Sequence, residues 1–536
     1  MTPSLTTSYW PADDSRSVLE TTVGDLLRAA AADAPETRAL VSIAPGREPR
    51  TWTYAELLDD AERAAAWLSA RYRPGDHIAV WAPNIPEWLV LQYGAALSGL
   101  VLAAINPALR VGELAHALAT ADAVGVFCVG EHRGTDMRAI LREALPHAPR
   151  VRATTDLAGW LDEVRATDTG AGLPDVDPHG PTQLQFTSGT TGPAKAAVLS
   201  HRAMVTNAAY VRDRCGATPG AVYATALPLF HTAGCGLAGL GTVHHRGTLV
   251  LAEVFDPALL LAAIETYGVE AVGGVPTMLQ AMLSHPDVEG TDLSSLTTIM
   301  SGGDMVPPAL VDGWAAVCGA SMSAVYGQTE LSPIVCQSGP EDSREDVLHT
   351  AGRPLPNVEV SIRDPHSGAV QDLGAPGEIC ARGYQTMLGY YGSPEATART
   401  VDADGWLHTG DLGVMDARGF VTVTGRLKDL IIRGGENISP AEVEGVIASH
   451  PAVAQAAVFG VPDRHWGETV AAVITVHGDA ARPTAGELHD LVRRALAPHK
   501  TPTTWFVAQE LPRNAMGKLQ KFALRDRWAK GDLTPL

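Results

Sequence analysis

Thr187-Ser188-Gly189-Thr190-Thr191-Gly192-Pro193-Ala194-Lys195 is the strongest local signal in the sequence, and it directly follows an apolar strand predicted at 183–186. Small hydroxyl and glycine residues let the backbone turn tightly, so that successive N–H groups converge on a phosphate. A flexible surface loop is the alternative, because Gly/Ser/Thr clusters are common. A Walker-type loop is excluded, because Ala194 precedes the lysine and Ala196 follows it.

Four further segments carry residues suited to nucleotide chemistry. Residues 324–330 end in Tyr326, Gly327, Gln328, Thr329 and Glu330. This set offers an aromatic ring that could stack on a purine, a glycine for a tight turn, a hydroxyl, and a carboxylate that could bind Mg²⁺. Residues 405–411 end in Asp411, which could accept from ribose hydroxyls. Residues 425–429 and 433–437 form the third segment, and residues 514–518, ending in Lys518, form the last. Taken singly, the segments at 324–330 and 405–411 are weak signals, because turns of this composition are common.

The alternation of short apolar strands with helical stretches favours layered α/β structure. Strands are predicted at 51–54, 76–81, 123–129, 271–274 and 296–300, and a helix is predicted at 55–72. After Pro354 short alternating strands with Gly/Asp turns, including a hairpin turn predicted at 416–419, indicate a smaller antiparallel unit. From about residue 430 the chain has mixed helix and strand character of its own. The fold class is therefore multi-domain α/β, with layered subdomains, a small β-barrel-like unit and a small α+β C-terminal domain.

Composition excludes several classes of protein. The chain has 536 residues, which is too long for one core, and its formal net charge of −20 argues against a nucleic-acid binder. Its six cysteines have no metal-type spacing, which indicates reduced thiols. His244 and His245 are adjacent, but no cysteine or acidic residue is spaced to complete a site with them. The start lacks a signal-peptide pattern and no apolar run spans a bilayer, so we expect a cytoplasmic enzyme.

Taken together and in this order, the five segments resemble those of the adenylate-forming superfamily, which includes acyl-CoA synthetases. Further matches lie at 227–231, 301–304, 377–383 and 389–391, and the resemblance runs from about residue 23 to residue 521. One departure lies in the first segment, where the family's usual Pro-Lys-Gly order is replaced by Pro193-Ala194-Lys195-Ala196. The proline is shifted and the glycine is alanine, which alters local backbone freedom and leaves the role of Lys195 open.

The resemblance implies an enzyme that uses ATP, Mg²⁺ and coenzyme A. The segment from Thr187 to Lys195, with Ser188, Gly189, Thr190, Thr191 and Gly192, would hold the β- and γ-phosphates. Glu330, with Thr187, would bind Mg²⁺. Tyr326 and the Gly302–Gly303 backbone would bracket adenine, with Gly327 and Gln328 beside them. Thr329 would contact the α-phosphate, Asp411 and Arg426 would hold the ribose, and Lys518 would bridge the acyl carboxylate and the α-phosphate.

The resemblance also implies a second half-reaction served by a mobile C-terminal domain. The predicted division is 1–425 for the adenylation domain, 426–428 for the hinge and 429–536 for the mobile domain, with Lys428 as the hinge residue. Rotation would withdraw Lys518 and bring forward the thiol face, which is formed by Gly434, Gly435, Glu436 and Asn437. His231 lies where related CoA ligases place a ring that gates the acyl pocket or thiol path; a packed core histidine is the alternative.

Several questions stay open at this stage. The acceptor is CoA, with the phosphopantetheine arm of an acyl carrier protein as the alternative; a catalytically silent nucleotide-binding relative and a luciferase-like oxygenase are more distant possibilities. Small residues in the predicted pocket segments at 231–239, 275–280, 301–305 and 331–334 suggest a roomy apolar cavity for a medium-chain, aromatic or polycyclic acid. A homodimer is the base-rate expectation for oligomeric state.

Overall fold

A computed structural model of the chain describes residues 4–169, 172–187, 194–303, 306–434, 436–478, 480–513 and 519–536. The chain divides into two compact units. The larger unit comprises Trp10–Val360 and Ala381–Leu407, and the smaller unit comprises Met1–Tyr9, Ser361–Cys380 and His408–Leu536. Each unit is treated by itself below.

A seven-stranded sheet in the larger unit carries the glycine-rich loop. Its strands follow the order Gly389–Tyr390, Ala196–Ser200, Pro181–Phe186, Val101–Ile105, His77–Trp81, Gly125–Cys128 and Ala153–Asp156. The last five strands in this order are mutually parallel, whereas Ala196–Ser200 runs antiparallel to Pro181–Phe186. Val101–Ile105 is buried at every residue, as expected for a parallel strand covered on both faces.

A nine-stranded sheet forms the second layer system of the larger unit. Its order is Arg353–Pro354, Ile334–Gln337, Ser321–Gly327, Thr298–Gly302, Ala271–Gly274, Val222–Thr225, Thr248–Ala252, Arg38–Ile43 and Arg50–Thr53. Six neighbouring strands, from Ser321–Gly327 to Arg38–Ile43, run parallel. Their carboxyl ends therefore meet at one edge, which is where ligands bind in open α/β sheets. A separate two-stranded ribbon joins Glu131–His132 and Thr135–Asp136.

Helices cover these sheets. Tyr54–Ser69 shows why they form: Thr53 and Glu56 make a capping box at its start, and the residues of one side of the helix are buried. The helices of the larger unit are Val23–Asp33, Tyr54–Ser69, Pro86–Leu97, Val111–Thr120, Met137–Ala144, Trp160–Arg165, His201–Arg214, the π-helix Ala233–Leu240, Gly241–His244, Pro257–Tyr267, Pro276–Leu283, Pro308–Cys318, Arg344–His349 and Pro394–Thr400.

The small β-rich unit predicted after Pro354 corresponds to a five-stranded sheet. Its order is Tyr9–Trp10, Val358–Arg363, Gly377–Gly383, Leu407–Met415 and Val421–Arg426. The last two strands form an antiparallel hairpin in which Asp411 pairs with Arg426. The turn of this hairpin lies at 416–419, where the sequence predicts it, and Asp416 caps it by accepting from the Phe420 N–H at 2.9 Å.

The C-terminal part of the smaller unit has a sheet with helices of its own. Its path is Glu436–Ile438, Ile431–Arg433, Gly467–Val476, Thr504–Val507 and Thr534–Pro535, and Val453–Asp463 also pairs with Gly467–Val476. The helices are Pro440–Ala448, Ala485–Ala495 and Lys521–Lys530. Two apolar clusters, one containing Ile431, Ile474 and Leu488 and the other containing Phe459 and Leu524, form the core.

The layered α/β class, with a large N-terminal part and a smaller C-terminal part, is confirmed. The smaller unit extends beyond the predicted mobile domain, because it also contains the hairpin that precedes residue 425. One contact across the predicted hinge is a hydrogen bond from Ser439 Oγ to the Thr424 carbonyl at 2.7 Å. The division at 426–428 concerns movement, and it stays a prediction.

Two expectations about composition can be compared with the structure. None of the six cysteines, all of which are described, forms a disulfide, and five of them are buried. Among the described residues, no helix combines the length and the apolar character needed to cross a membrane. Burial raises the pKa of the Cys235 thiol to about 12, so this thiol is held in its neutral form.

A buried histidine makes the larger unit acid-sensitive. His201 is fully buried, its Nδ1 accepts from the Val23 N–H at 3.2 Å, and burial lowers its pKa from 6.5 to about 4. The unfolded chain therefore takes up this proton near pH 6.5 and the folded chain only near pH 4. Because the folded pKa of this base is depressed, its contribution to stability is present above pH 6.5 and is lost as pH falls towards 4.

We expect this single group to lower the free energy of unfolding by roughly 3 kcal/mol over that interval. The variant His201→Asn keeps an acceptor for Val23 and removes the titration. Its urea-unfolding free energy should therefore fall less steeply between pH 6.5 and 4.5 than that of the parent. The exposed His477→Asn serves as control. Identical slopes for all three proteins would contradict the assignment.

Candidate active site

The two ends of the glycine-rich loop are held together by the strands that flank it. Phe186 pairs with Ala196 in the antiparallel register, and the Thr187 N–H donates to the Lys195 carbonyl at 2.9 Å. Thr187 and Lys195 therefore stand side by side at the base of the loop, both half-buried. Ser188, Gly189, Thr190, Thr191 and Gly192, which are predicted to bind phosphate, lie outside the described residues.

Tyr326–Glu330 lies where a parallel strand ends. Strand Ser321–Gly327 is followed by a 3₁₀ turn at Thr329–Leu331. Gly327 is required here, because a Cβ would lie 1.9 Å from the Pro333 carbonyl oxygen. The Gln328 N–H also donates to that carbonyl at 2.8 Å, which turns the chain so that Thr329 and Glu330 follow directly after the strand.

Gly302 and Gly303 lie beside this segment at the same sheet edge. Gly302 pairs with Val325 in the parallel register, and a Cβ at Gly302 would meet the Val325 carbonyl oxygen at 2.6 Å. Gly303 has φ +83° and no atom within 4 Å of its Cβ direction, so its backbone faces open space among the described residues. The structure therefore brings the two predicted adenine-binding segments together.

His231 precedes the π-helix Ala233–Leu240, beyond the end of strand Val222–Thr225 in the same sheet. Its Nδ1 accepts from the Ala233 N–H at 3.2 Å, which leaves the ring proton of the neutral form on Nε2. Its side chain is half-buried. Single-turn π segments are frequent at functional sites, and this longer one was not foreseen from the sequence.

The glycines in the predicted pocket segments differ in whether packing against neighbouring atoms requires them. Gly234 is required by packing, because a Cβ would lie 2.3 Å from the Pro228 carbonyl oxygen. The same holds for Gly302, described above. Gly236 and Gly239 meet their nearest neighbours only at 3.7 and 3.6 Å, which is ordinary contact distance. Packing therefore does not require glycine at these two positions, nor at Gly303, which has no atom within 4 Å of its Cβ direction.

In the smaller unit, Asp411 is held by a network of hydrogen bonds. Its Oδ1 lies 3.1 Å from Arg426 Nε across the hairpin. The preceding turn is fixed by Glu378, which accepts from the Gly410 N–H at 3.0 Å and lies 2.8 Å from His408 Nδ1. The Thr409 hydroxyl donates to the Ile379 carbonyl at 2.6 Å. Asp411 and Arg426 are therefore brought together as a pair on a rigid support.

The predicted hinge and thiol face also lie in the smaller unit. Lys428 is in a 3₁₀ turn at Leu427–Asp429. Gly434 has φ +60°, and a Cβ there would lie 2.7 Å from the Trp466 ring. Glu436 and Asn437 are exposed on strand Glu436–Ile438, whereas Gly435 lies outside the described residues.

The catalytic candidate Lys518 lies outside the described residues, as do its neighbours Asn514 to Gly517. The chain on either side is described: Arg513 forms an antiparallel bridge with Leu519, and the Gln520 N–H donates to the Pro512 carbonyl at 2.8 Å. The ends of the Lys518 segment are thus joined.

Comparison with known proteins identifies the family. The model of the AMP-binding enzymes matches residues 27–391, and that of the AMP-binding enzyme C-terminal domain matches residues 442–518. The chain belongs to the AMP-binding enzyme family. It is an acyl-CoA synthetase of the adenylate-forming superfamily, an AMP-forming acid–thiol ligase that uses ATP, Mg²⁺ and CoA.

Three relatives illustrate the similarity. The synthetase is 35% identical to the putative acyl-CoA synthetase YngI of Bacillus subtilis (strain 168), over 95% of this chain and 97% of that protein. It is 36% identical to a CoA ligase of Rhodococcus jostii (strain RHA1) named for a methyl-dioxo-octahydroindenyl propanoyl group, over 88% and 93%. The ATP-bound structure of MatB from Rhodopseudomonas palustris matches with a TM-score of 0.86 at 29% identity, over 96% and 100%.

The residues present in the synthetase fit a magnesium ion. Glu330 offers a carboxylate whose Oε1 accepts from the Tyr390 hydroxyl at 2.6 Å. Its Oε2 has no hydrogen-bond partner in the described part of the chain. Magnesium is usually held by one or two carboxylates together with substrate phosphates and water, so a single open carboxylate oxygen is a suitable protein ligand.

Within the described ranges, two clusters of potential metal ligands were not predicted from the sequence. Asp213 lies beside His244 and His245, so the expectation that no acidic residue completes this pair is wrong; the fold supplies one from a preceding helix. Asp213 is ion-paired with Arg16 at 2.5 Å, which marks the cluster as a structural ion-pair network. Glu378, Cys380 and His408 form the second cluster, and its hydrogen bonds support the Asp411 turn instead.

Sequence reasoning missed three features near the predicted site residues of the synthetase. Tyr390 was recognised only as part of a family motif, although its hydroxyl contacts Glu330. Trp466 and Ile432, 46% and 56% exposed, are large apolar side chains close to Gly434. An exposed tryptophan on a strand-flanking turn cannot be told from a buried one by its letter alone, so only the structure reveals it.

Proposed function

We propose that this acyl-CoA synthetase activates a medium-chain, aromatic or polycyclic carboxylic acid, the class suggested by its pocket-lining segments. The observation that carries the proposal is the convergence at one parallel-sheet edge of the segments containing His231, Gly302–Gly303 and Glu330. Packing does not require glycine at Gly236 or Gly239, and the choice of these small residues supports room for a bulky acyl group. The Rhodococcus jostii ligase, whose name specifies a bicyclic propanoyl group, supports the polycyclic option.

In the first half-reaction, an oxygen of the substrate carboxylate attacks the α-phosphorus of ATP. The bond from that phosphorus to the bridging oxygen breaks, and pyrophosphate leaves. Thr187 and Lys195, with the loop between them, are proposed to hold the β- and γ-phosphates. Bound Mg²⁺ would supply positive charge that stabilises the departing pyrophosphate, with Glu330 and Thr187 as its protein ligands.

The remaining residues orient the nucleotide. Tyr326 and Gly302–Gly303 are proposed to bracket the adenine, with Gly327 and Gln328 completing the turn beside it. Thr329 is proposed to donate to the α-phosphate. Asp411 is proposed to accept from the ribose hydroxyls, with Arg426 fixing its carboxylate. Lys518 is proposed to bridge the carboxylate and the α-phosphate, where negative charge accumulates in the transition state.

In the second half-reaction, the CoA sulfur attacks the acyl carbon, AMP leaves, and the thiol proton passes to solvent. We propose that rotation about Lys428 brings forward Gly434, Gly435, Glu436 and Asn437. Glycines let a pantetheine arm pass close to the backbone. Trp466 adds an exposed aromatic surface suited to a CoA base, and His231 is proposed to gate the path of the thiol or the acyl group.

Three finer statements also belong to the proposal. CoA is taken as the physiological acceptor, with an acyl carrier protein as the alternative. A cytoplasmic location is supported by the absence of disulfides among the six described cysteines, which is usual in a reducing compartment. A homodimer is proposed on base rates, and sedimentation equilibrium would detect it.

An acid panel tests the proposed substrate class. We expect acid-dependent ATP–pyrophosphate exchange with medium-chain, aromatic or polycyclic acids and at least tenfold lower kcat/KM with acetate, because a large apolar pocket leaves most of its surface uncovered by a two-carbon acid. Adding CoA or a phosphopantetheinylated carrier to the best acid then identifies the acceptor. Strict preference for acetate would rule out the cavity, and faster transfer to the carrier would rule out CoA.

A further inference from the structure

Tyr390 lies between the phosphate-loop lysine and the metal-binding carboxylate. Its hydroxyl donates to Glu330 Oε1 at 2.6 Å, and the Lys195 Nζ lies 4.2 Å from the centroid of its ring. Both contacts involve the same side chain, through different parts: the oxygen for Glu330 and the ring face for Lys195. These two residues come from segments 135 positions apart and from two different predicted phosphate-binding motifs.

Backbone contacts hold Tyr390 in place. Its backbone pairs with Ala197, two residues after Lys195, and its N–H donates to Thr397 Oγ1 at 2.8 Å. The side chain is 7% exposed.

This arrangement keeps both charged groups available for a ligand. In the described part of the chain Lys195 and Glu330 form no ion pair with each other. A ring face attracts an ammonium without neutralising it, and a hydrogen bond to one carboxylate oxygen leaves the other oxygen to face a cation. A direct Lys195–Glu330 pair would instead use up both groups.

We propose that Tyr390 is a positioning residue that joins the two phosphate-binding elements, orienting Glu330 for Mg²⁺ through its hydroxyl and Lys195 for the phosphates through its ring. The proposal rests on the metal role of Glu330 and the phosphate role of Lys195 given under Proposed function. Tyr390 would act through Glu330 and Lys195, so its effect should be on ligand affinity through those two residues.

The test measures ATP affinity by isothermal titration without acid substrate, once with EDTA and once with Mg²⁺. The ratio of the two dissociation constants gives the gain in affinity linked to the metal. Tyr390→Phe keeps the ring and loses the hydroxyl. We therefore expect the metal-linked gain in ATP affinity to fall by roughly tenfold, which is the effect expected from the loss of one charge-assisted hydrogen bond. ATP affinity in EDTA should stay within about twofold. Tyr390→Leu should also lose affinity in EDTA.

The controls separate the possible failures. Tyr391→Phe removes a neighbouring hydroxyl that does not contact Glu330 and should leave both constants unchanged. Glu330→Gln should abolish most of the metal-linked gain. If Glu330→Gln loses the gain and Tyr390→Phe, melting at the parent temperature, retains it, the proposal for Tyr390 is wrong. If Glu330→Gln retains the gain, the metal role of Glu330 fails first. If Tyr390→Phe melts at a lower temperature than the parent, Tyr390→Leu becomes the deciding variant. An ATP affinity in EDTA equal to that of the parent would then overturn the proposal.

Discussion

Replacement of Lys518 by alanine is expected to slow pyrophosphate release in the first half-reaction by a hundredfold or more. The physical reason is that negative charge builds up between the attacking carboxylate and the α-phosphate, and a lysine placed between them stabilises this charge in the transition state. Loss of one such preorganised donor costs about 3–4 kcal/mol. The measurement is acid-dependent pyrophosphate release under saturating ATP and acid.

The matched control for this variant is Lys530→Ala, which removes an exposed lysine from the last turn of helix Lys521–Lys530. It has the same change in charge and should release pyrophosphate at the parent rate. ATP affinity should also be little changed in Lys518→Ala, because the phosphate loop and the ribose pair are intact. Equal rates for Lys518→Ala and Lys530→Ala would show that the terminal lysine takes no part in adenylation.

Replacement of Lys428 by proline is expected to slow the second half-reaction, thioester formation, and to leave the first half-reaction nearly unchanged. Lys428 lies in the 3₁₀ turn Leu427–Asp429, whose backbone angles are close to those that proline prefers. Proline fixes φ near this value, at the cost of restricting the preceding Leu427, and should oppose any state that needs a different φ at position 428. That penalty is about 3 kcal/mol or more, which corresponds to roughly a hundredfold loss of the rotated population.

The readout for Lys428→Pro is thioester formation from added acyl-adenylate and CoA, which should fall roughly a hundredfold, while pyrophosphate release in a single turnover stays near the parent value. Lys428→Ala removes the side chain and leaves the backbone free, so it should support both half-reactions. Loss of thioester formation in the alanine variant as well would assign the effect to the side chain and would contradict a hinge role.

Motifs that lie at strand ends were the part of the site that sequence could predict. Gly302–Gly303 and Tyr326–Glu330 follow apolar strands, and parallel strands place their carboxyl ends at one edge, so the strand pattern already implies that these segments meet. Turn chemistry, a different signal, predicted the hairpin that carries Asp411, because Asp416 and Gly419 supply a turn between two alternating strands.

Contacts between distant side chains were not predictable in this way. Tyr390 meets Glu330 across 60 positions, and Asp213 meets His245 across two helices that no local pattern connects. Such contacts depend on how whole layers pack against each other, and the hydrophobic periodicity of the sequence carries no information about that packing. Composition misled at Gly234 and Gly302, which suggested a cavity but are small because a neighbouring backbone carbonyl approaches each of them.

One crossed measurement separates the roles of Lys518 and Lys428. Both half-reactions are followed by rapid quench in single turnovers of Lys518→Ala and Lys428→Pro. We predict that Lys518→Ala is slow to form acyl-adenylate and consumes added acyl-adenylate with CoA at close to the parent rate, and that Lys428→Pro shows the reverse. Two results would contradict the proposal that Lys518 is brought to the site for adenylation and withdrawn for thioester formation. One is acyl-adenylate formation by Lys518→Ala at the parent rate, and the other is equal slowing of both steps in both variants.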